Sequence, residues 1–197
     1  MINYSSSSDY TDKFCHQHNY KIFYQNFWQS KYDKVLEIGL GSCGFTKFLV
    51  DNNIGNFHIG ADINDIKSFE NVEPAYQEFV KSKETFCSTL LNDVYHGDVE
   101  ALEFKQWLEN NYKNDIDLVI EDCSHAVKQQ KYLISISDMV LSSEGVWITE
   151  DIVGYHNAQE VIESVPVEHK PYAYLVDLKS GKRRFDDFVV VIDRRKL

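Results

Sequence analysis

Lys34-Val35-Leu36-Glu37-Ile38-Gly39-Leu40-Gly41-Ser42-Cys43-Gly44 is the stretch whose reading decides the fold. Lys34 to Ile38 reads as a strand, and Gly39-Leu40-Gly41-Ser42-Cys43-Gly44 satisfies G-x-G-x-x-G directly after it. Glycines at that spacing let the backbone turn tightly at a strand end and approach a nucleotide closely. The pattern alone fits several nucleotide ligands, so the residue before it is more informative. Glu37 puts a carboxylate at the end of a buried strand, which is costly unless something satisfies it. A cationic ligand would do so. S-adenosylmethionine carries a sulfonium and an ammonium group, whereas a dinucleotide brings a pyrophosphate that a neighbouring carboxylate repels. The alternative is that a backbone amide or a basic side chain holds Glu37.

Working outward, further strand-like runs occur at Phe57 to Ala61, Asp93 to His96, Ile116 to Glu121 and Gly145 to Thr149, with helical patterns between them. Ala101, Phe104, Trp107 and Leu108 mark one helix and Leu133, Ile136 and Val140 another, so the alternation predicts a parallel sheet. Tyr172 to Leu178 and Phe185 to Ile192 are separated by only Lys179 to Arg184, too few residues for a crossover helix, and must pair antiparallel. The expected fold is α/β, doubly wound and Rossmann-like, with a mostly parallel seven-stranded sheet that ends in a C-terminal antiparallel hairpin. Ahead of it, Tyr20, Phe23, Tyr24, Phe27 and Trp28 follow the i, i+3, i+4, i+7, i+8 stripe of a helix packed on the domain. A single domain over residues 1–197 is expected, with a helical cover at 1–33 and a core at 34–197.

The 197 residues carry 43% hydrophobic side chains, enough for one substantial core. A formal net charge of -11 disfavours a nucleic-acid partner. Lys182-Arg183-Arg184 and Arg194-Arg195-Lys196 read as solvated ends. Cysteines 15, 43, 87 and 123 form no C-x-x-C pair and are expected to be free thiols in a reducing compartment. No apolar stretch approaches membrane-spanning length, so a soluble cytoplasmic protein is expected.

Asp62, at the end of the second strand, stands where an acidic residue accepts from ribose hydroxyls in nucleotide-binding α/β folds. Asp98, after the third, could accept from the adenine amino group or cap the helix that follows; both remain open. Together with Glu37, Gly39, Gly41 and Ser42 these are the candidate cofactor contacts. Strand four ends in Glu121-Asp122-Cys123-Ser124-His125 and strand five in Glu150-Asp151. Neighbouring strands lie about 4.8 Å apart, so carboxylates from two tips can share a cation. Carboxylate ligation favours Mg²⁺, with Mn²⁺ or Ca²⁺ as alternatives, over zinc. Such an ion could bind two substrate hydroxyls and acidify one, and His125, three residues past Asp122, is the natural general base. The acids could instead cap helices, and His125 could be a surface residue.

With Thr11-Asp12-Lys13, His18-Asn19-Tyr20, Leu36-Glu37-Ile38-Gly39, Ala61-Asp62-Ile63, His96-Gly97-Asp98, Glu121 to His125 and Gly145 to Asp151, the chain resembles the macrocin-type and rhamnosyl sugar O-methyltransferases. These are related to the cephalosporin-hydroxylase group. The family pattern Asp-Asp-Gly-Ser-His appears here with Glu121 in first place and Cys123 in place of glycine. The resemblance implies an S-adenosylmethionine-dependent O-methyltransferase acting on a sugar hydroxyl. It assigns Asp122, Glu150 and Asp151 to the metal, His125 to the base, and Glu37, Gly39, Asp62 and Asp98 to the cofactor. It also implies that the N-terminal segment covers the pocket. A catechol-like acceptor suits the same metal chemistry, and a non-catalytic binding module suits the same fold. An NAD-dependent oxidoreductase of the short-chain kind is opposed by the absence of any Tyr-x-x-x-Lys pair.

Overall fold

A computed structural model describes residue 13 and residues 19–28, 31–41, 43–62, 87–178 and 188–195. Strands β1 (Lys34–Ile38), β2 (Phe57–Asp62), β3 (Asp93–His96), β4 (Ile116–Glu121), β5 (Leu141–Ile152), β6 (Ala173–Asp177) and β7 (Phe188–Asp193) form one sheet in the order β3-β2-β1-β4-β5-β7-β6. The first five are parallel, and β7 runs antiparallel between β5 and β6. The doubly wound sheet with its terminal hairpin is the architecture expected from the sequence.

Both faces of the sheet are covered, and the period-2 alternation of a strand decides which side chain goes where. Leu36, Ile38, Val119, Trp147, Val190 and Ile192 face the core shared with Phe104 and Leu108 of α3 (Leu102–Tyr112), with Leu133 of α4 (Val127–Ser135) and with Val161 of α6 (Tyr155–Glu163). Val35, Leu118, Ile120, Val146, Ile148, Val189 and Val191 face the opposite core, built from α1 (Tyr20–Gln25) and α2 (Gly44–Asp51). The expected aromatic stripe is there: Tyr20, Phe23, Tyr24 and Phe27 are buried, and Trp28 stacks on Tyr24 with ring centroids 4.7 Å apart. Regular helix stops at Gln25, however, and the chain continues to Trp28 in turns.

Three expectations need correction. The helix expected across Leu133 to Val140 is two, since Ile136 leaves helical geometry between α4 and α5 (Ser137–Val140). Cys43 and Cys87 are joined as a disulfide, with Cα atoms 5.8 Å apart, because the fold brings the glycine loop against the helical residues 87–90; Cys123 is free. Arg194 and Arg195 are no solvated tail. Arg195 pairs with the buried Asp193 at 2.9 Å, donates to the Tyr32 hydroxyl and lies 5.3 Å from the Phe27 ring centroid, while Arg194 donates to the Ser142 carbonyl. Lys182 to Arg184, Lys196 and Cys15 lie outside the described residues. Among the described residues no helix is long and apolar enough to cross a membrane.

Candidate active site

The sheet order reverses direction between β1 and β4, and in open α/β sheets ligands bind beyond the carboxyl ends of the strands at such a switch point. The tips there are tied to one another by backbone. The Gly39 N–H donates to the Ala61 carbonyl, the Asp122 N–H to the Ile38 carbonyl and the Gly97 N–H to the Asp62 carbonyl. Gly39 has φ +93, and a Cβ on it would sit 2.1 Å from the Asp122 carbonyl oxygen, so the glycine is required by protein backbone before any ligand arrives. Gly41, at φ +49, has open space where its side chain would be.

A cleft of about 470 Å³ opens over these tips. Gly39, Gly41, Asp62, Asp98 and Val99 line one part, and Asp122, Cys123, Ser124, His125, Gln129 and Asp151 another. Most of the expected cofactor and acid positions thus share one cavity. Ser42 lies outside the described residues, and neither Glu37 nor Glu150 is among those lining the cleft. Asp62 is buried at the end of β2. Asp98 accepts from the Glu100 N–H at 2.8 Å in the turn ahead of α3, whose N-cap is Ala101, and it also faces the cleft.

The donor atoms of Asp122, His125 and Asp151 all lie within 4.8 Å of one another, close enough to share a cation. His125 Nε2 is 3.3 Å from Asp122 Oδ1 and 3.7 Å from Asp151 Oδ2. His125 and Asp151 both sit at positive φ, +58 and +50, strained conformations for such residues and of a kind that clusters at functional sites. The hydrogen bond that His125 donates to the Asp122 carboxylate raises the His125 pKa against the opposing effect of burial, and Asp151 adds to the rise. Burial works against ionisation of Asp122, but Lys13 and His125 outweigh it and hold the carboxyl well below its usual range. Burial, first, raises Asp151. Glu121 is fully buried, accepts from the Cys123 N–H at 3.3 Å, and is pushed by burial to about 7.

Glu150 stands apart from this group. On β5 it follows Val146 and Ile148 in the alternation and so faces α1. There its two oxygens are taken by the Lys13 ammonium and by the Tyr24 hydroxyl at 2.6 Å, which separates it from the Asp122, His125 and Asp151 group. Burial pushes its pKa to about 8 despite Lys13. Glu37 faces the same side, accepts a hydrogen bond from Thr46 of α2, and is pushed by burial to about 7. The hydroxyl of Thr46 is thus the direct partner of Glu37, with Lys13 a more distant positive influence. Lys13, Tyr20, Tyr24 and Thr46 were not singled out as site residues from sequence. The tyrosines read as packing, and the only signal for Lys13 was its place in the Thr11-Asp12-Lys13 motif; Thr11, Asp12 and His18 lie outside the described residues.

No protein-family model matches this chain, and no curated protein sequence matches it. Among solved structures it is similar to MycE methyltransferase from the mycinamycin biosynthetic pathway in complex with Mg, SAH and mycinamycin VI (18% identity, TM-score 0.55, covering 95% of this chain and 52% of that one). It is also similar to a SAM-dependent methyltransferase from Archaeoglobus fulgidus (13%, TM-score 0.52, covering 87% and 90%). A spermidine synthase in complex with the transition-state analogue AdoDATO aligns as well (15%, TM-score 0.51, covering 85% and 55%). The chain therefore spans about half the length of MycE and of that synthase. At such identities the likeness is one of fold, and the fold it shows is the Rossmann-like architecture of methyltransferases, a mostly parallel seven-stranded sheet closed by an antiparallel hairpin.

Proposed function

We propose that the protein is an S-adenosylmethionine-dependent, divalent-cation-assisted O-methyltransferase whose acceptor is a sugar hydroxyl. The observation that carries this reading is the single cleft in which the glycine loop, Asp62 and Asp98 meet Asp122, His125 and Asp151. A methyl donor and an acceptor hydroxyl need that adjacency, since reaction requires near-attack placement of the two.

Gly39 and Gly41 provide close backbone approach for the cofactor, Asp62 accepts from ribose hydroxyls, and Asp98, which lines the same cleft, accepts from the adenine amino group. S-adenosylmethionine, when bound, supplies an electrophilic methyl group on sulfur. The Asp122 and Asp151 carboxylates are hard donors suited to Mg²⁺ or Mn²⁺, which usually keep water or substrate oxygens in their remaining positions. A cation there supplies charge that lowers the pKa of a bound hydroxyl. His125 lies within 3.3 and 3.7 Å of the two aspartates and is placed to accept the proton of a hydroxyl held between them. The 4.8 Å span of the three donors also suits a second reading, in which a softer cation takes His125 as third ligand. The sugar itself rests on the sequence resemblance to the macrocin-type and rhamnosyl enzymes, and a cytoplasmic site of action rests on sequence alone.

The test is calorimetry with S-adenosylmethionine and NAD, followed by labelled methyl transfer to a panel of rhamnosides, other sugars and catechols, with and without EDTA. Binding of the methyl donor and cation-dependent labelling of sugars are expected, and both labelling and EDTA sensitivity should vanish in Asp122→Ala. Binding of NAD alone would overturn the cofactor, turnover of catechols alone the acceptor, and EDTA-resistant labelling by Asp122→Ala the cation.

A further inference from the structure

We propose that Lys13 is an internal counter-ion of the acidic cluster. It holds Glu150 and the inner oxygen of Asp122, and so confines an exchangeable divalent cation to the outer oxygens of Asp122 and Asp151, beside His125. The inference rests on the cation reading above and changes its ligand set, because Glu150 leaves it.

The geometry divides the cluster into an inner and an outer layer. Lys13 Nζ is 2.6 Å from Asp122 Oδ2 and pairs with Glu150 Oε2; its side chain is 6% exposed and that of Glu150 is 0% exposed. The ammonium also lies 5.1 Å from the Phe45 ring centroid and 5.6 Å from that of Tyr20, so it sits in a box of two carboxylates and two aromatic faces. The Tyr24 hydroxyl donates to the other Glu150 oxygen at 2.6 Å, so both oxygens of Glu150 already have a partner in the inner layer. Asp122 is shared: its Oδ2 belongs to Lys13 and its Oδ1 faces His125 at 3.3 Å. Asp151 is shared in the same way. Its Oδ1 accepts from the Tyr20 hydroxyl at 2.6 Å, and its Oδ2 is the oxygen that faces His125, at 3.7 Å. Lys13 and Tyr20 therefore hold the two aspartates by their inner oxygens and present the outer ones side by side. A mobile cation reaching Glu150 would have to displace an ammonium already paired with two carboxylates.

The test is a Mn²⁺ titration of the full chain followed by electron paramagnetic resonance, with thermal unfolding and S-adenosylmethionine calorimetry on the same samples. Wild type is expected to bind one Mn²⁺, Glu150→Gln to keep its affinity within about threefold, and Asp151→Asn to weaken it at least about tenfold, as removal of a ligand does. Lys13→Met is expected to tighten Mn²⁺ by about tenfold or more, because the freed carboxylates attract the ion inward, and Lys13→Met/Glu150→Gln to return it to near wild type. A change confined to stability would leave Mn²⁺ affinity flat across the lysine variants and would overturn the proposal. So would a tenfold loss in Glu150→Gln, which makes Glu150 a ligand, or Mn²⁺ binding seen only once Lys13 is removed, which makes Lys13 the ion's replacement. The Glu150→Gln arm decides even if Lys13→Met fails to fold. Mn²⁺ results as expected without S-adenosylmethionine binding would refute the cofactor reading alone.

Discussion

Glu37→Gln is the perturbation that most directly interrogates the acid before the glycine loop. Burial raises the Glu37 carboxyl from its ordinary value of 4.5 to about 7, with the Thr46 hydrogen bond and the Lys13 charge opposing the rise. A carboxyl with a raised folded-state pKa makes folding take up a proton. Its penalty is absent below about pH 4.5, grows as pH rises, and is complete above about pH 7. That shift corresponds to about 3 kcal/mol, because each pKa unit is worth about 1.4 kcal/mol. Glutamine has the same shape, and its carbonyl oxygen still accepts from the Thr46 hydroxyl, so the variant removes the charge and little else. Urea unfolding at pH 8 should show Glu37→Gln more stable than wild type by up to about 3 kcal/mol, and at pH 4.5 the two should coincide. Glu121 and Glu150 are raised by burial in the same direction, so both proteins lose stability toward alkaline pH and only their difference reports on Glu37. If the buried charge awaits a cationic ligand, saturating S-adenosylmethionine should stabilise wild type more than the variant. A variant less stable than wild type at pH 8, with the gap closing toward pH 5, would show that Glu37 is favourably ionised in the fold and would refute the reasoning.

Gly39→Ala combines a strained φ of +93 with a Cβ 2.1 Å from the Asp122 carbonyl oxygen, so a loss of at least about 3 kcal/mol in thermal unfolding, together with loss of cofactor binding, is expected. Cys43→Ser, or reduction by dithiothreitol, opens a link spanning 44 residues, for which chain entropy gives a loss of about 4 kcal/mol; peptide mapping should find Cys43 joined to Cys87, and free thiols at both would refute the link. Arg195→Ala removes the guanidinium that pairs with the buried Asp193 carboxylate and should cost about 3 kcal/mol in denaturant unfolding, whereas a change near zero would restore the view of a solvated tail.

The sheet was legible because strands buried on both faces must be rich in apolar residues, and β1 and β4 carry such runs to the very residues expected. The same property hid the orientation of Glu150. Where both faces are apolar, alternation leaves no visible mark, and only the packing of Val146 and Ile148 against the α1 core shows which way the next even residue points. The Asp98 hydrogen bond to the Glu100 N–H is a local event two residues along the chain, of the kind a sequence can suggest. The Lys13 contacts were not, because they join residues 109 and 137 positions apart and no local pattern encodes a partner at that range. The Cys43–Cys87 link is hidden for the same reason, and spacing rules that look for neighbouring cysteines read it as two free thiols.

Charge balance on the two sides of the strand tips bears on what the cleft can hold. Toward α1 and α2, the Lys13 ammonium acts on Glu37, Asp122 and Glu150 together. It keeps Asp122 ionised and opposes the upward push of burial on Glu37 and Glu150, so its positive charge offsets much of the acid on that side. The cleft differs: Asp62, Asp98, Asp122 and Asp151 all line it, and among the described lining residues His125 is the sole group able to carry positive charge. A pyrophosphate placed there would meet this field unshielded. A sulfonium, an ammonium or a divalent cation would be attracted by it, and a neutral polyol hydroxyl would be tolerated. The preference for a cationic cofactor, first read from Glu37, thus finds its stronger physical basis in the aspartates of the cleft wall, with Glu37 held one layer behind them by Thr46.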